Sequence, residues 1–535
     1  MANEQQDTVT ITLNGVEATV PKNLRIIEAA EQLGVGIAHY CYHPGLSAPA
    51  MCRMCLVEVE GAPKLAPACV TPVADGQVIH TESDRARTAR EGTLEFYLLN
   101  HPLDCPICDK SGECKLQDYT HAEGRKHGRS IEPKRVLGQD DFGGDILYDG
   151  DRCIMCTRCV RFMREVAQDD RLCVVQRGHR SVIDTFFDHG VDGNLWAGNI
   201  VDICPVGALL SKDFLHKARV WDLDNNSSIC PNCSQGCNIR IDTRDNLVMR
   251  LRPRANADVN SYWMCDYGRH RYEWINVTDR ATAPQRRLPD GGLAAVTWQE
   301  AMLALVERVR SAREAGAGVT VIGSPFHGNE DNGMLARLAS VLGGGDLLFK
   351  ADQADDEIPC PGFPRLARRR DLAANVRGLE ILGFTRGGGA AGTGGIVVAL
   401  GDDLADDVAH AAAGAELFIA VTARSTAAAR TADFVLPATT FAEAEGTFTN
   451  FEGRVQRFWP AVQPPPLARP AWQILGVLLS GLEEGGAAPA TAADAFLRLG
   501  EWHDEFSGLS YDIIGSRGAV INETVQLPAG AGGSV

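Results

Sequence analysis

The spacing of apolar residues near the start of the 535-residue chain predicts a hairpin followed by a helix. Apolar and polar residues alternate over positions 9–20 on either side of Asn14-Gly15, a dipeptide that favours a two-residue β-turn. Apolar residues then recur at helical spacing over positions 24–33, which predicts a helix with Asn23 as its N-cap and Gly34 at its end. A strand pair and a helix are thus expected before the first cysteines.

The second half of the chain has a different pattern, rich in Ala and Gly. Short apolar runs alternate there with helical stretches, as a parallel sheet with crossover helices requires. The predicted strands cover residues 319–322, 396–400 and 417–421. Flexible connections are expected at residues 386–395, at 464–466 and in the tail 528–535.

The overall composition is that of a soluble globular protein with several domains, with 45% apolar and 23% charged residues. The formal net charge of -17 argues against nucleic acid or an anionic membrane surface as the main partner. The first residues lack the features of a targeting segment, and no long uncharged apolar run occurs. We therefore expect an intracellular chain whose membrane association comes through another subunit.

Cysteine is the residue type that changes this picture. Of the 17 cysteines, all but Cys360 lie before residue 270. A disulfide-stabilised scaffold would be short and secreted, whereas this chain is long and no secretion signal is visible. In a reducing compartment, such a density of cysteine indicates metal binding.

The first cysteine group follows the predicted hairpin and helix. Its spacing is C-x10-C-x2-C-x13-C, and its members are Cys41, Cys52, Cys55 and Cys69. Three thiolates from one loop and a fourth from farther along the chain suit a [2Fe–2S] cluster, and the order of hairpin, helix and cysteine loop is that of a β-grasp ferredoxin. The alternative is a structural zinc site, which usually has two separated C-x2-C pairs, whereas this group has one.

The second group combines one histidine with three cysteines. A helix predicted over residues 83–100 leads to it, and its members are His101, Cys105, Cys108 and Cys114. Taken alone, His101 is as readily a surface residue as a ligand. The three cysteines need a fourth ligand and no other cysteine is near, so we predict a [4Fe–4S] cluster with one imidazole ligand.

The third group has the spacing of a two-cluster ferredoxin in which one cluster is lost. Its C-x2-C-x2-C run and its Cys-Pro ending provide Cys153, Cys156, Cys159 and Cys204. In a two-cluster ferredoxin, the last cysteine of each half serves the other cluster. The four ligand positions of the second cluster fall on Met163, Asn194, Ala197 and Ile200. The sequence therefore predicts a ferredoxin-like domain with a single [4Fe–4S] cluster.

The fourth group is spaced C-x2-C-x3-C-x27-C and consists of Cys230, Cys233, Cys237 and Cys265. Three close cysteines and one distant cysteine favour a [4Fe–4S] cluster over a zinc ribbon, which pairs its ligands two and two. Two cysteines remain outside the four groups. We interpret Cys173 as a small buried core thiol and Cys360, in a proline-rich loop, as structural.

All four spacings, in this order, resemble the large iron–sulfur subunit of the peripheral arm of NADH:quinone oxidoreductase, respiratory complex I. The resemblance covers essentially the whole chain. Further segments that carry it are Cys-Asp-Tyr-Gly-Arg at 265–269, Ala-Asp-Phe-Val-Leu-Pro at 432–437, Glu-Gly-Thr-Phe-Thr-Asn at 445–450, Glu-Gly-Arg-Val-Gln at 452–456 and Gly-Leu-Ser-Tyr at 508–511.

The resemblance implies an electron path rather than a catalytic site in this chain. Electrons would come from the flavin- and NADH-binding subunit, which is accompanied by a small [2Fe–2S] subunit. They would pass through the [2Fe–2S] centre, the ferredoxin-like centre and the His-ligated centre to a quinone-side iron–sulfur subunit. The fourth cluster occurs in some bacterial members and lies off that path. The resemblance also implies a peripheral position on the cytoplasmic side of the bacterial inner membrane, with the membrane arm formed by other subunits.

The part of the chain after Cys265 resembles a shortened molybdopterin oxidoreductase. Active members commonly carry C-x-K-G after the last cluster cysteine, with the lysine between cluster and pterin, and Tyr267 stands at that position here. They also need a residue that ligates the metal, and Cys360 lacks the usual context. The resemblance thus implies a scaffold with no molybdenum or pterin.

Three other functions compete with this interpretation. The large subunit of an NAD-linked formate dehydrogenase would usually keep both ferredoxin-like clusters and a complete molybdenum site. The diaphorase-side subunit of a multimeric hydrogenase would usually end near the third cluster or continue into a hydrogen-activating domain. A structural zinc scaffold would contain zinc and little sulfide.

The predicted fold class is multidomain, α+β and α/β. The expected domains are a β-grasp [2Fe–2S] ferredoxin domain (1–80), a segment with the His-ligated [4Fe–4S] cluster (81–139), a ferredoxin-like single-cluster domain (140–222), a small [4Fe–4S] domain (223–280), a shortened molybdopterin-oxidoreductase-like parallel α/β domain (281–480) and a C-terminal tail (481–535).

Overall fold

The computed structural model describes residues 7–185, 189–387, 395–401, 412, 414–427, 429–483 and 486–521. The chain divides into two compact units. The first comprises Met1–Leu223 with Pro361–Phe363, and the second comprises Asp224–Cys360 and Pro364–Val535. Most of the connection predicted at 386–395, and all of the tail at 528–535, lie outside the described residues. The six-domain division itself stays a prediction.

The first unit begins with a β-grasp domain. Its elements are β1 (Thr8–Leu13), β2 (Val16–Pro21), α1 (Ile26–Gln32), β3 (Leu56–Val59), β4 (Ala66–Pro67) and β5 (Gln77–His80). The strands form a mixed sheet of order β2-β1-β5-β3-β4, in which β1 and β5 are parallel. Asn14 and Gly15 turn the β1–β2 hairpin with φ of 51° and 85°, as the sequence predicts. Its core lies between the sheet and α1 and includes Ile11, Ile26 and Ile79.

The first helix begins later than the sequence predicts. Arg25 is its N-cap, with extended backbone, so the expected cap at Asn23 is wrong. The reason is that Arg25 forms a β-bridge with Pro72, which holds it outside the helix. Its amide donates to the Glu28 carboxylate at 2.8 Å, which satisfies one of the free donors at the helix start. The helix ends as expected, with Gly34 at a φ of 74°.

The rest of the first unit consists of short elements joined by long loops. They are α2 (Asp84–Leu98), α3 (Lys115–Glu123), β6 (Gln139–Asp141), β7 (Ile146–Asp149), α4 (Arg158–Phe162), β8 (Leu172–Val175), β9 (Val182–Thr185), α5 (Asn199–Ile203) and β10 (Leu209–Ser211). The Ser83 hydroxyl caps α2, so the predicted second helix is confirmed. Strands β10, β7 and β6 form a small sheet, and β8 pairs with β9.

The second unit opens with a meander and continues into a doubly wound sheet. Its elements are β11 (Asp224–Ile229), β12 (Asn238–Arg244), β13 (Leu247–Pro253), α6 (Asp266–Arg269), β14 (Gln285–Arg287), β15 (Leu293–Ala295), α7 (Trp298–Glu314), β16 (Val319–Gly323), α8 (Asn329–Val341), β17 (Asp346–Phe349), β18 (Ile358–Cys360), β19 (Phe363–Arg368), α9 (Val376–Ile381), β20 (Thr385–Arg386), β21 (Ile396–Leu400), β22 (Leu417–Thr422), β23 (Phe434–Pro437), β24 (Gly446–Thr449), β25 (Arg454–Phe458), α10 (Ala471–Leu482), α11 (Ala492–Trp502), α12 (Tyr511–Ile514) and β26 (Ala519–Val520).

The large sheet confirms the parallel strands predicted in the second half. Within the described residues it has eight strands, in the order β15-β14-β23-β22-β21-β16-β17-β20. The six strands from β23 to β20 are parallel and follow the order of a Rossmann-type sheet, with its switch point between β16 and β21. Apolar residues of α7, α8, α10 and α11 form a continuous core with this sheet. No helix in the described part of the chain is long and apolar enough to span a membrane.

Candidate iron–sulfur sites

The first ligand set is assembled by two loops: one between α1 and β3 carries Cys41, Cys52 and Cys55, and one after β4 carries Cys69. The Cys41 thiol forms hydrogen bonds with the thiols of Cys52 and Cys69, and Cys55 forms one with Cys69. All four side chains are buried. Hydrogen bonds with Cys52 and Cys69, and then with the amides of Cys52 and Met51, hold the pKa of the Cys41 thiol far below its usual range. Four sulfur atoms in contact, with amides directed at them, suit the negative charge of a thiolate-bound cluster.

The second set lies around the loop between α2 and α3. His101, Cys105 and Cys114 line one cavity, and Cys114 is the N-cap residue of α3. The Nδ1 atom of His101 is buried and has no hydrogen-bond partner among the residues that the structure describes. Burial, and then the charges of Arg152 and Lys134, lower the pKa of His101 to about 4. A neutral imidazole with a vacant buried nitrogen is what a metal ligand requires, so His101 fits the predicted role.

The third set converges on a single small cavity, which is lined by all four predicted ligands, Cys153, Cys156, Cys159 and Cys204. The loop that carries the first three alternates between ordinary and left-handed backbone, with φ of 53° at Met155 and 58° at Thr157. The amide of Met155 is thereby directed at the Cys153 sulfur, 3.4 Å away. The cavity, enclosed by four thiols, has the donor set that a cubane cluster needs.

The place of the lost second ferredoxin cluster is filled by protein side chains. Met163, Ala197 and Ile200 are almost completely buried. Asn194 donates from Nδ2 to the Asp169 carboxylate at 2.8 Å. Apolar packing and a polar hydrogen bond thus stand where thiolates would bind a second cluster.

The fourth set lies in the second unit, between the β11–β12 turn and α6. Cys230, Cys233, Cys237 and Cys265 are each 4% exposed. Burial raises the pKa of the Cys230 thiol to about 12, and the neighbouring Cys233 adds to the shift. The Cys230 amide donates to the Cys237 carbonyl at 2.8 Å, which closes the turn that carries three of the ligands.

Two glycines allow the ligand sets to form, and both were missed by sequence reasoning. A Cβ atom added to Gly207 would lie 2.2 Å from the Cys108 sulfur, and one added to Gly268 would lie 2.9 Å from the Cys230 sulfur. Gly207 follows Cys204, so it brings the third set against the second. The Lys115 amide, next to Cys114, also donates to the Pro205 carbonyl at 2.9 Å. No local sequence signal marks these glycines, because each faces a cysteine that is distant in sequence.

The two remaining cysteines differ from each other. Cys360 is fully buried at the end of β18, as expected of a structural residue. Cys173 is only half-buried, so its assignment as a core thiol is wrong. It lies on the β8–β9 hairpin opposite Asp184, and its sulfur lies 3.5 Å from that residue's carbonyl oxygen. Among the described residues, no group of three or more His, Cys, Asp or Glu side chains is arranged to hold a single metal ion.

The doubly wound sheet does not fit the anionic pterin cofactor that its family resemblance suggests. Such a cofactor would need the free amides at the start of α8, which follows β16 at the switch point. Asp331 instead accepts the Gly328 amide at 2.9 Å, and the buried Glu330 lies beside it. At the position of the usual lysine, the Tyr267 ring lies under the Arg271 guanidinium, 4.1 Å away. The Asp331 and Glu330 side chains thus occupy the start of this helix, and no chemistry through a pterin is derived.

Comparison with known families identifies iron–sulfur domains along the first half of the chain. The matching family profiles are described as a 2Fe-2S iron-sulfur cluster binding domain (residues 6–84), the NADH-ubiquinone oxidoreductase-G iron-sulfur binding region (90–129), the ferredoxin-like domain of NADH-quinone oxidoreductase subunit 3 (143–210), an NDSU1/NuoG-like 4Fe-4S domain of NADH-ubiquinone oxidoreductase (228–273) and molybdopterin oxidoreductase (382–480). The chain thus carries iron–sulfur domains of both the 2Fe-2S and the 4Fe-4S kind.

Individual relatives point to the same family. Over 316 residues the chain is 41% identical to the NADH-ubiquinone oxidoreductase 75 kDa subunit of Reclinomonas americana, a match that covers 59% of this chain and 45% of that protein. More than half of this chain is thus similar to part of the NADH-ubiquinone oxidoreductase 75 kDa subunit. It is also 43% identical over 302 residues to the mitochondrial NADH dehydrogenase iron-sulfur protein 1 of Solanum tuberosum, covering 56% of this chain and 41% of that one.

A bacterial relative matches the same part of the chain. The chain is 39% identical over 305 residues to a subunit of the NADH-quinone oxidoreductase of Rickettsia bellii, covering 57% of this chain and 44% of that protein. The chain spans less than half the length of these curated relatives.

A solved structure is also similar to part of the chain. It is a crystal structure of an NAD+-reducing [NiFe]-hydrogenase in the H2-reduced state, with 28% identity and a TM-score of 0.36. The match covers 40% of this chain and 91% of that one.

Proposed function

We propose that the chain is an electron-transfer subunit of the peripheral arm of a proton-pumping NADH:quinone oxidoreductase. It receives electrons from the flavin- and NADH-binding subunit and passes them through iron–sulfur centres toward quinone. The observation that carries this proposal is the contact between three ligand sets within one unit. The third set lies against the first through α4 and against the second through Gly207. Three adjoining one-electron centres form a path, which a storage or structural site does not need.

The ligands follow from the four sets. Cys41, Cys52, Cys55 and Cys69 hold one [2Fe–2S] cluster. Three [4Fe–4S] clusters are held by His101 with Cys105, Cys108 and Cys114, by Cys153, Cys156, Cys159 and Cys204, and by Cys230, Cys233, Cys237 and Cys265. Bound clusters supply the one-electron redox chemistry. The protein fixes the thiolates, keeps His101 neutral and directs amides at the sulfur atoms.

Exposure around the second set supports its place at the exit of the path. Cys105 is exposed, whereas the cysteines of the first set are buried. Next to it, Leu103 and Ile107 are 87% and 65% exposed, so apolar surface surrounds the centre that is nearest to solvent. A quinone-side iron–sulfur subunit docks here, and the flavin subunit with its small [2Fe–2S] companion delivers electrons to the first set. The assembly lies on the cytoplasmic side of the bacterial inner membrane, with its membrane arm formed by other subunits.

Metal analysis of the anaerobically purified chain tests this proposal. One two-iron and three four-iron centres give about 14 iron atoms per chain with matching acid-labile sulfide. No molybdenum, tungsten or pterin is expected. Zinc with little sulfide would contradict the proposal and indicate a structural scaffold. A stoichiometric pterin would instead indicate an enzyme of the formate dehydrogenase type.

A further inference from the structure

Two buried arginines on α4 lie between the first and third ligand sets. Arg158 and Arg161 are 8% and 9% exposed. They occupy the same short helix as Cys159, one turn apart. Buried guanidinium groups are normally paired with carboxylates, because an unpaired charge away from water is costly.

Arg161 joins a ligand of one centre to a ligand of the other. Its Nη2 atom donates to the Cys41 carbonyl at 2.5 Å and to the Cys156 carbonyl at 3.4 Å. Its Nη1 atom donates to the Ser47 carbonyl, in the loop between Cys41 and Cys52. One guanidinium therefore touches the backbone of both ligand loops.

Arg158 repeats this arrangement one residue away from the ligands. Its Nη1 atom donates to the Ile203 carbonyl at 3.1 Å, next to Cys204. Its Nη2 atom donates to the Tyr42 carbonyl, next to Cys41. Both arginines thus span the same gap, and their acceptors are backbone carbonyls, apart from the Thr157 hydroxyl, which accepts from Nε of Arg161 at 3.4 Å.

Neither arginine has a carboxylate partner among the described residues. The nearest other groups do not supply one. His43 carries no negative charge, and Glu165 accepts the Ser47 amide at 2.8 Å instead of pairing with Arg161. Arg152, between the third and second sets, is different, since it pairs with Asp104 at 3.0 Å and with Asp149 at 3.3 Å. The gap between the first and third sets therefore holds two guanidinium charges whose hydrogen-bond acceptors, carbonyl and hydroxyl oxygens, carry no negative charge.

We propose that Arg158 and Arg161 are the shared counter-charges of the [2Fe–2S] centre and the ferredoxin-like [4Fe–4S] centre, and that they raise the reduction potential of both. The inference rests on the proposed function, because it requires both clusters. Each electron that enters a cluster adds one negative charge and breaks no bond. A fixed positive charge beside the cluster favours that reduced state. Because the same cations lie beside both centres, they shift both potentials in the same direction.

The test replaces each arginine by Gln, which keeps hydrogen-bonding capacity without the charge, and by Lys, which keeps the charge. Midpoint potentials are measured by EPR-monitored redox titration of the full chain. In Arg161→Gln and Arg158→Gln, both centres should become harder to reduce. At a fixed ambient potential, the ratio of reduced to oxidised cluster should be lower by roughly tenfold. For a one-electron couple this corresponds to a midpoint potential that is lower by about 59 mV. The Lys variants should retain most of the wild-type potential.

Two controls in the same protein distinguish an effect of the lost charge from a general disturbance of the structure. The His101-ligated centre should keep its potential in all four variants. Arg90 is also buried, at 2% exposed, but it pairs with Glu123 and Glu82, away from these loops, so Arg90→Gln should leave the potentials of both centres unchanged.

Unchanged potentials in both Gln variants would overturn the proposal, as would an equal shift at the His101 centre or in Arg90→Gln. Where a Gln variant loses the two clusters, the Lys variant decides. Its retention of both clusters supports the charge argument, and their complete loss means that geometry rather than charge is required. If the wild-type chain lacks the two EPR signals and their iron, the proposed function fails instead.

Discussion

The two units hold their ligand sets on different kinds of scaffold. In the first unit, the third set is carried by loops and by α4 and α5, which have five residues each. Helices this short are not stable by themselves in water. In the second unit, the one ligand set belongs to a body whose core joins the eight-stranded sheet to helices such as α7 and α8, with 17 and 13 residues. Cluster binding should therefore matter more for local structure in the first unit than in the second.

The two units also differ in the charged residues near their ligand sets and in how exposed those ligands are. Between its first and third ligand sets, the first unit places two buried arginines that have no carboxylate partner among the described residues, and one member of its second set, Cys105, is exposed. The second unit buries all four cysteines of its ligand set and places Glu330 and Asp331 at the switch point of its sheet. The charge distribution of the first unit thus suits the electron transfer that we propose, whereas in the second unit two carboxyl-bearing residues lie at the switch point of the sheet.

Removal of one cysteine from each unit tests the comparison most strongly. In Cys204→Ala, the third centre should assemble poorly, and NADH-to-quinone turnover of the assembled complex should fall to near background because the path is interrupted. Reduction of an artificial acceptor at the flavin should persist. In Cys233→Ala, assembled complex should retain most of its turnover, since the fourth centre lies off the proposed path.

Limited proteolysis of the same variants supplies the structural part of this test. Cleavage should appear around residues 153–204 in Cys204→Ala, since a bound cluster contributes folding free energy, and the second unit of Cys233→Ala should stay resistant. Equal loss of turnover in both fully assembled variants would contradict the assigned path.

The two ligand-facing glycines offer a milder comparison in which every ligand is kept. Gly207→Ala should remove most of the His101-ligated centre, because the new methyl group overlaps the Cys108 sulfur and also lies 3.2 Å from Lys110. Iron content should fall by up to about four atoms per chain. Gly268→Ala has the longer contact of 2.9 Å, so a partial loss of the fourth centre is expected.

Gly128→Ala is the matched control, because an added Cβ there meets no atom within 4 Å. Iron and sulfide analysis with EPR of each variant distinguishes the centres. A normal His101 centre in Gly207→Ala would show that the loop around Cys108 can move aside.

The sequence predicts regular elements and ligand groups well because both depend on local spacing. The hairpin at Asn14-Gly15 and the parallel strands of the second unit follow from periodicity alone. The predicted helix start at Asn23 is wrong because a β-bridge between Arg25 and the distant Pro72 determines where the helix begins. The prediction that Cys173 is buried is wrong because its burial depends on which segments cover β8, and no local sequence pattern indicates that.

Contacts between distant segments account for the rest of what was missed. Gly207, Gly268, Arg158 and Arg161 act on cysteines or carbonyls that fold toward them from elsewhere. Spacing reveals which residues can bind a cluster. It does not reveal which residues make room for the ligands or balance the cluster's charge.

The smallest expected effect concerns Glu330, which affects the second unit without touching a ligand set. Burial, with a further contribution from Asp331, raises the pKa of Glu330 from 4.5 to about 8. Between these pH values the unfolded chain is ionised at this residue while the folded chain keeps its proton, so stability falls as the pH rises. In Glu330→Gln this loss disappears, since Gln does not titrate. The side-chain amide of Gln can still accept from the Thr447 amide and donate to the Thr447 or the Tyr511 hydroxyl, and these three groups are the present partners of the carboxyl group.

Thermal unfolding of the second unit at pH 6 and pH 7.5 measures this difference. Wild-type protein should lose up to about 2 kcal/mol of unfolding free energy relative to Glu330→Gln over that interval. Glu314, which is exposed, provides the control, and Glu314→Gln should follow the wild-type pH dependence. Parallel curves for wild type and Glu330→Gln would mean that Glu330 is ionised in the folded protein. Its carboxylate would then be stabilised by the hydrogen bonds from Thr447 and Tyr511 rather than protonated. Electron transfer through the first unit should be unaffected in either case, because Glu330 belongs to the sheet domain and contacts none of the ligands.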